Sequence, residues 1–335
     1  MQEVWMRFVS HHDIEQLKLT NGDFLEAVED VLTDHGNDRV VFEPRMHLIP
    51  DNGGKGHFNV LRGHLSEKQV SGVKVVGDFV PNFQLGLPSE MALILLMDPD
   101  NGMPRAIVDG TLITEARTGA MTAIGAKHLA RPDSKILGHI GARGSAWWNV
   151  VLLDELFDFD EIRVTSKRPE SRESFAARLS EHLGKPVRAV DTAEEALDGA
   201  DIMVEASRLT ERSPLVRTEY IRPGTFVVPY GTISAVEIDL LDRIDKVVVD
   251  NWRESQSGAG QFGALRPHLD SGRLTEETLY GEIGEIVAGH KPARESDDES
   301  ILFWHRGLST TDVATAHMIL QRAENAGLGS MLRYH

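Results

Sequence analysis

A closely spaced set of glycines lies between Lys135 and Trp148, in a segment that begins with a short apolar run and continues into a helix-like stretch. This layout is typical of a strand, a tight turn and a helix N-terminus, where free backbone N–H groups and the helix dipole can hold a pyrophosphate. Gly141 and Ala146 fit the first and third positions of the Gly-x-Gly-x-x-Gly/Ala pattern, whereas Arg143 stands at the second. The segment predicts a dinucleotide site, with a glycine turn that binds no ligand as the alternative.

Arg143 changes what this turn can do. The glycine usually found there lets the backbone approach the phosphates closely, so Arg143 must either turn its side chain outward or meet the phosphates by charge. We predict that the residues of the turn contact the cofactor. They are Gly141, Ala142, Arg143, Gly144, Ser145 and Ala146.

After the turn and its helix, short strands rich in Val and Ile alternate with helix-like segments. The predicted strands after the turn are Glu161–Ser166, Ala200–Ser207, Thr225–Pro229 and Lys246–Asp250. Helices are predicted at Ser171–Leu183 and Thr192–Leu197. Such alternation implies right-handed crossovers and a doubly wound parallel sheet, so the fold around the glycine turn is predicted to be Rossmann-like.

The chain before the turn has a different pattern, that of an antiparallel unit. Strand-like segments occur at Val4–Val9, from Val40 to Val76, and in a hairpin of Met91–Met97 with Arg105–Val108. Ser10 and Asp13 form a capping pair for a short helix. Longer helices are predicted at Asn21–His35, Thr111–Leu129 and Thr311–Ala326, and the last of them is expected to return the chain to the N-terminal domain.

Composition excludes several classes of function. A chain of 335 residues with 41% hydrophobic content can bury a large core and is expected to form two domains. It has no cysteine, which excludes disulfides and thiolate chemistry and fits a cytoplasmic location. The net charge of −17 argues against general nucleic-acid binding. The histidines are scattered without metal-ligand spacing, and the longest apolar run is too short to span a membrane, so no metal site and no membrane segment are predicted.

Short motifs follow one another in a specific order and spacing over nearly the whole length. They are Glu43–Arg45, Gly72–Lys74, Pro81–Asn82, Gly86–Pro88, Asp98–Gly102, Thr114–Ala120, the glycine turn and Gly307–Asp312. No one of them is decisive. Together they resemble the ornithine cyclodeaminase/mu-crystallin family.

The resemblance implies an α/β fold in which a Rossmann-like, doubly wound domain is inserted into an α+β domain that the C-terminal helix completes. On this basis residues 1–118 and 309–335 form a substrate-binding and dimerisation domain, and residues 119–308 form the NAD(P)-binding domain. Family members use a nicotinamide cofactor on amino acids or their imines. The resemblance therefore implies a small imino or amino acid as substrate, a homodimer, and no nucleic-acid or membrane partner.

The resemblance also implies that Arg45, Lys74 and Arg117 line the substrate pocket. A 2-imino or 2-amino carboxylate suits a guanidinium that binds it bidentately. Lys74, its pKa lowered by neighbouring cations, could supply or relay the proton that an imine nitrogen needs. His305 stands where the family usually has a small residue near the nicotinamide; it could shuttle a proton or simply pack against its neighbours.

The choice of cofactor is encoded at the end of the second predicted strand, where an acid would select NAD. This chain instead has Thr165-Ser166-Lys167-Arg168, two hydroxyls and two cations. We therefore predict NADP over NAD, with Ser166, Lys167 and Arg168 in contact with it. Further cofactor contacts implied by the resemblance are Thr118, Ala206, Ser207 and Thr232.

The loop after the fifth strand of the Rossmann domain bears on the reaction. Cyclodeaminases carry an aspartate there, whereas the segment from Pro229 has no acid before Glu237, and Thr232 or Ser234 occupies the position. This favours an NAD(P)H-dependent reductase of a small 2-imino acid, or the reverse amino-acid dehydrogenation. An ammonia-releasing cyclodeaminase and a non-catalytic mu-crystallin-like binding protein are the alternatives, and the choice between a cyclic and a linear imine stays open.

Overall fold

A computed structural model describes residues 3–51, 53–257 and 262–335. Its strands are β1 (Trp5–Val9), β2 (Val40–Leu48), β3 (His57–Leu65), β4 (Val70–Asp78), β5 (Glu90–Met97), β6 (Pro104–Asp109), β7 (Ile136–Ile140), β8 (Glu161–Thr165), β9 (Val187–Ala189), β10 (Ile202–Glu205), β11 (Phe226–Pro229), β12 (Lys246–Val249), β13 (Gly281–Glu282), β14 (Ile301–Trp304) and β15 (Ser330–Arg333).

The α-helices are α1 (His11–Gln16), α2 (Asn21–Gly36), α3 (Thr111–Leu129), α4 (Ala146–Phe157), α5 (Pro169–Leu183), α6 (Ala193–Leu197), α7 (Trp252–Gln256), α8 (Arg266–Asp270), α9 (Ile283–Val287) and α10 (Ser309–Ala326). Short 3₁₀ helices occur at Val80–Leu85, Thr218–Tyr220 and Leu240–Arg243. Among the described residues no helix is both long enough and apolar enough to cross a membrane.

The described chain divides into two compact units. The first contains the described residues up to Arg117 together with Gly307–His335, and the second contains Thr118–Arg306. The predicted capping pair at the start of the first unit is confirmed, because Ser10 and Asp13 cap α1 reciprocally. Thr20 and Asp23 form the same arrangement at the start of α2.

The first unit is a seven-stranded sheet in the order β15-β1-β6-β5-β4-β3-β2. All neighbouring strands are antiparallel except β1 and β6. Successive side chains along each strand point to opposite faces of the sheet. The helix α10 covers one of these faces, and glycines in the strands let the helix pack close to the sheet. A Cβ at Gly72, for example, would lie 2.7 Å from Val313 Cγ2. The core between helix and sheet contains residues such as Leu65, Ile94 and Ile319.

Two adjacent rows of residues cross the strands of this sheet on opposite faces. On the face that α10 covers, Leu61, Lys74 and Ile94 are direct neighbours on β3, β4 and β5. On the other face, which we call the open face, a row of apolar residues crosses β2 to β5. That row is Met46, Val60, Val75 and Leu93. The sheet therefore presents a charged residue to its covered side and apolar residues to its open side.

The second unit is an eight-stranded sheet in the order β13-β12-β14-β11-β10-β7-β8-β9, and its paired strands are parallel. The chain leaves β7 towards β8 and β9 on one side, and returns to β10 and β11 on the other. The strand order therefore reverses between β7 and β10, which makes this position the topological switch point of a doubly wound sheet. The predicted α/β fold class, with a Rossmann-like domain inserted into an α+β domain completed by the C-terminal helix, is confirmed.

Candidate active site

Lys74 is a fully buried lysine in the middle of the first unit. It lies on β4, only 1% exposed, on the sheet face that α10 covers. Its Nζ donates to Asp312 Oδ1 at 2.7 Å and to Thr114 Oγ1 at 3.3 Å. Asp312 belongs to the first turn of α10. The helix that covers the sheet, α10, thus carries the carboxylate that pairs with Lys74.

Arg117 joins the same carboxylate from α3. Its Nε donates to Asp312 Oδ1 at 2.8 Å, so one oxygen accepts from both cations. Asp312 is completely buried, and neither its Oδ2 nor Arg117 Nη1 makes a hydrogen bond with any described residue. Two cations facing one anion leave a surplus positive charge, and the unused donor on Arg117 can serve an incoming anion.

Gly307 brings a third cation close to this group. Arg45 Nη2 donates to the carbonyl oxygen of Gly307 at 2.7 Å. The backbone of Gly307 has φ +83°, and a Cβ there would lie 1.8 Å from Arg117 Nη1. Only glycine combines this backbone conformation with room for the guanidinium. We call Arg45, Lys74, Arg117 and Asp312 the cation cluster.

The pKa values of Lys74 and Asp312 suit proton exchange by Lys74 near neutral pH. Burial lowers the pKa of Lys74 to about 8; Asp312 opposes this shift, and the Arg117 charge adds to it. Burial by itself would raise the pKa of Asp312, but Arg117 and Lys74 hold it below its ordinary value. Asp312 therefore stays ionised while Lys74 can lose and regain a proton.

The glycine turn of the second unit links β7 to α4. Gly141 has φ +117°, and a Cβ on it would lie 2.9 Å from the carbonyl oxygen of Ala206. Gly144 has φ +58° with open space beside it. Ser145 is the N-cap residue of α4, but its side chain accepts no hydrogen bond from the backbone N–H groups of the helix. The turn therefore has the features that fit a dinucleotide: a close backbone approach, an open glycine and a helix N-terminus without a side-chain cap.

The side chain of Arg143 extends towards α5 and not across the turn. Its Nη2 lies 3.5 Å from Ser171 Oγ, in the first turn of α5. Ser166 Oγ donates to the carbonyl oxygen of Arg168 at 3.2 Å, and Arg172 Nη1 donates to the carbonyl oxygen of Ser166. Arg172 of α5 thus lies at the end of β8, where it also pairs with Asp191, and Arg143 of the turn lies beside the first turn of α5.

A largely buried network of hydrogen bonds connects the glycine turn to β7, to α4 and to the residue after β11. Tyr230, directly after β11, shares a hydrogen bond with Ser145 Oγ at 2.8 Å and accepts one from Asn149 Nδ2 at 2.5 Å. Asn149 Nδ2 also lies 3.0 Å from His139 Nε2, and His139 Nδ1 lies 3.0 Å from the carbonyl oxygen of Gly141. Burial lowers the pKa of His139 to about 4, so the ring is neutral and can donate through one nitrogen and accept through the other.

His305 is packed among rings in the second unit. It is 1% exposed, its ring stacks on Tyr230 with centroids 4.7 Å apart, and the centroid of the Phe303 ring lies 5.3 Å away. Its Nε2 lies 3.0 Å from Thr122 Oγ1. This environment agrees with the packing interpretation of His305, and its role as a proton shuttle stays a prediction.

Three of the remaining predicted contacts follow the carboxyl ends of strands, and the fourth, Thr118, lies in α3. Ala206 and Ser207 come directly after β10, and Thr232 lies in the loop after β11, where its carbonyl oxygen accepts from Gly263 N–H at 2.8 Å. The carbonyl oxygen of Thr118 accepts from Thr122 Oγ1. Within the described residues, no group of three or more His, Asp or Glu side chains could hold a metal ion.

Sequence reasoning assigned no role to Asp312 or Tyr230. Asp312 was part of a motif, but its partners lie far away in the sequence, 238 residues in the case of Lys74. The only local signal was an acid at the start of a helix whose other first-turn residues are small or hydroxylic. Tyr230 gave a comparable hint, a single aromatic residue between a strand and Gly231.

Comparison with known proteins identifies the family. The sequence pattern of the ornithine cyclodeaminase/mu-crystallin family matches residues 6–327. The chain belongs to this family.

Three solved structures of the family resemble this one closely. Delta(1)-pyrroline-2-carboxylate reductase of Thermococcus litoralis, in complex with NADH and L-proline, is 32% identical with a TM-score of 0.89, over 97% of this chain and 99% of that one. An archaeal alanine dehydrogenase dimer with bound NAD is 28% identical with a TM-score of 0.89, over 99% and 100%. The iminosuccinate reductase of Paracoccus denitrificans in complex with NAD+ is 26% identical with a TM-score of 0.85, over 98% and 99%.

Proposed function

We propose that this family member is an NAD(P)H-dependent oxidoreductase that reduces a small 2-imino acid to the L-amino acid, or catalyses the reverse dehydrogenation. The observation that carries the proposal is the cation cluster, in which a buried lysine with a pKa of about 8 shares one carboxylate with Arg117. The similar proteins are two imine reductases and an amino-acid dehydrogenase, all bound to NAD or NADH. They support the same reaction type at a C–N bond.

Each member of the cation cluster has a distinct part in this reaction. Arg117 and Arg45 bind the substrate carboxylate, for which Arg117 Nη1 is an available donor. Lys74 gives a proton to the imine nitrogen, which makes the imine carbon a better electrophile, and takes it back in the reverse direction. Asp312 holds Lys74 and Arg117 in place and stays ionised. The nicotinamide cofactor, when bound, supplies or accepts the hydride.

The glycine turn is proposed to hold the cofactor. Gly141, Gly144 and the helix N-terminus after Ser145 suit a pyrophosphate. Ala206, Ser207, Thr232 and Thr118 are the further proposed contacts. Tyr230 is a positioning residue, because its hydroxyl fixes Ser145.

We further propose that the chain prefers NADP. Lys167 and Arg168 follow β8, Arg172 Nη1 donates to the Ser166 carbonyl oxygen, and Arg143 extends towards the first turn of α5, so several cations lie near the end of β8, where a 2′-phosphate would bind. The double variant Lys167→Ala/Arg168→Ala is expected to weaken NADPH binding at least tenfold and to leave NADH binding within about twofold. Equal losses for both cofactors would contradict the preference.

The alternative function, an ammonia-releasing cyclodeaminase, would need an acid in the loop after β11, and this chain has none there before Glu237. The first acid of that segment, Glu237, accepts from the backbone N–H of Thr218 at 2.7 Å and is engaged away from the loop. Ser234 in the same loop is buried. The loop therefore offers hydroxyl groups where cyclodeaminases have a carboxylate, which favours the reductase.

We also propose that the open face of the first unit's sheet pairs with a second copy of the chain. The row of Met46, Val60, Val75 and Leu93 is apolar, and Leu48, Phe58 and Met91 extend it on the same face. Several of these side chains are exposed in the single chain. A continuous apolar face of this kind is typical of an obligate interface, and the similar alanine dehydrogenase is a dimer.

The experiment that tests the function follows oxidation of NADPH and NADH with preformed cyclic imines, and with ammonia plus a panel of 2-oxo acids. Turnover of one imine class is expected, and it names the substrate. Lys74→Met should reduce kcat at least a hundredfold while NADPH still binds, because the proton donor is lost. Ammonia release from ornithine without any imine reduction would favour the cyclodeaminase, and ligand binding unaffected by Lys74→Met without turnover would favour a binding protein.

A further inference from the structure

Glu205 is a fully buried acid that the proposed reaction does not use. It is the last residue of β10 and is 1% exposed. In register it lies between Ile140 of β7 and Pro229 of β11. It therefore ends one of the two strands that flank the topological switch point, where open α/β sheets bind their ligands.

The contacts of Glu205 leave one carboxyl oxygen unused. Oε1 accepts from the Ser207 backbone N–H at 2.8 Å. Oε2 is buried and makes no hydrogen bond with any described residue. The Gly231 backbone packs against it, since a Cβ there would lie 2.6 Å from Oε2. The carboxyl group thus lies under the loops that follow β10 and β11, with one oxygen available.

The surroundings of this carboxyl favour its neutral form. Burial raises the pKa of Glu205 to about 7, and the polar groups of Ser207 and of the Gly231 backbone only partly oppose the shift. No described cation forms an ion pair with it. The titratable or charged side chains on adjoining segments are His139 on β7, which is neutral, Tyr230 after β11 and Arg208 after Ser207.

We propose that Glu205 takes up a proton when the nicotinamide dinucleotide binds, so that its carboxyl group is neutral beside the cofactor. The inference rests on the proposed function, because it assumes that the dinucleotide occupies the glycine turn next to Ala206. A neutral carboxyl has an O–H that can donate to the polar groups of the surrounding loops, and it adds no charge beneath the cofactor. An ionised one would place a further negative charge near the pyrophosphate at low dielectric.

The consequence is a cofactor affinity that falls as the pH rises through neutrality. A carboxyl with a pKa of about 7 is roughly nine-tenths protonated at pH 6 and about one-tenth protonated at pH 8. If only the protonated form binds tightly, the Kd for NADH rises about tenfold between these two values. NADH is the suitable probe, because it lacks the 2′-phosphate whose own titration would interfere.

The test measures the Kd of NADH by fluorescence titration from pH 6 to pH 8 for three proteins. The unmodified protein and Glu161→Gln should show the tenfold rise, whereas Glu205→Gln should show a flat profile. Glu161 is a matched control at the start of β8, where Arg163 lowers its pKa and keeps it ionised throughout. An unchanged pH dependence in Glu205→Gln would overturn the inference.

One measurement does not depend on that variant. Calorimetry of NADH binding at pH 7, in buffers with different ionisation enthalpies, should show uptake of about half a proton by the unmodified protein. Zero uptake would overturn the inference without any substitution. Absence of NADH and NADPH binding at every pH would overturn the proposed function as well.

The cofactor-free protein gives a further measurement. The folded-state pKa of Glu205 is higher than its ordinary value of 4.5, so the folded state binds more protons between pH 4.5 and 7. The free energy of unfolding contributed by this group should therefore fall as the pH rises through that window. Glu205→Gln should remove this fall; a variant that retains it would contradict the raised pKa on which the inference draws.

Discussion

Asp312 sets the charge state of the cation cluster at the scale of single residues, because one of its oxygens accepts from both Lys74 and Arg117. Asp312→Asn keeps the shape and removes the charge. Since Asp312 raises the pKa of Lys74, the variant should lower that pKa below about 8 and shift the corresponding limb of the kcat/KM profile to lower pH. Breaking a buried ion pair should also cost about 3–5 kcal/mol of unfolding free energy, measured with urea.

A control variant separates this effect from the general loss of an acid. Asp109, at the end of β6, accepts from the Thr111 backbone N–H and lies beside His11, without contact to Lys74. Asp109→Asn should leave the pH profile in place. If Asp312→Asn also left it in place, Asp312 would not control the protonation of Lys74.

The sequence pointed to the cations of the cluster but not to their shared anion. Arg45, Lys74 and Arg117 stand in recognisable short motifs, so each could be selected locally. The pairing of these cations with Asp312 depends on the position at which α10 packs against the sheet. That position is set by tertiary contacts, and no local sequence pattern indicates it. Glu205 was likewise not identified, because its burial depends on the central position of β10 between β7 and β11 and on the packing of Gly231 against it, neither of which has a local pattern.

At the scale of elements, the turn before α10 fixes the geometry of the cluster. Gly307→Ala would force a Cβ into Arg117 Nη1 at a positive φ, so Arg117 must move. We expect a loss of about a hundredfold in kcat/KM from misplaced carboxylate binding, in addition to a loss of about 1–2 kcal/mol of stability from the left-handed backbone. Steady-state kinetics and thermal unfolding measure the two effects.

Gly327 provides the matched comparison at the other end of the same helix. It also has a positive φ, +67°, but nothing lies within 4 Å of a Cβ there. Gly327→Ala should therefore reduce stability by a similar amount and leave kcat/KM unchanged. Similar kinetic losses in both variants would mean that the helix end, and not the clash with Arg117, determines activity.

The elements themselves were largely predictable where their signal was local. The helix α3 has the predicted bounds, Thr111–Leu129, and the glycine turn lies between a strand and a helix as expected. Three short strands were not predicted, β9, β13 and β14. Each has only two to four residues, too few for a periodic pattern, and β14 pairs between β11 and β12 through contacts distant in sequence. The exposed strand β15 was also not predicted, because it has no apolar face to bury.

The prediction at the scale of the whole molecule concerns its oligomeric state. Val75 lies in the middle of the apolar row on the open face and is 44% exposed in the single chain. Val75→Lys would bury an unpaired charge in each subunit of the proposed dimer, so the mass measured by sedimentation should change from that of a dimer to that of a monomer. Persistence of the dimer would mean that another surface forms the interface.

Ile238 supplies the control for that experiment. It is 43% exposed and belongs to the second unit, not to the sheet that carries the open face. Ile238→Lys places the same charge at a position of similar exposure and should leave the dimer intact. The pair of variants thus distinguishes a specific interface from a general effect of added charge.

The position of α10 in the chain has a consequence for biosynthesis. The ribosome makes all of the second unit before it makes α10, and at about 5–20 residues per second this takes on the order of 10 s. During that time the nascent strands β3 to β6 lack the helix that covers Gly63 and Gly72, and Lys74 has no Asp312. The second unit, which is contiguous in sequence, can fold first. The nascent first unit is therefore the part of the chain that a chaperone would have to shield.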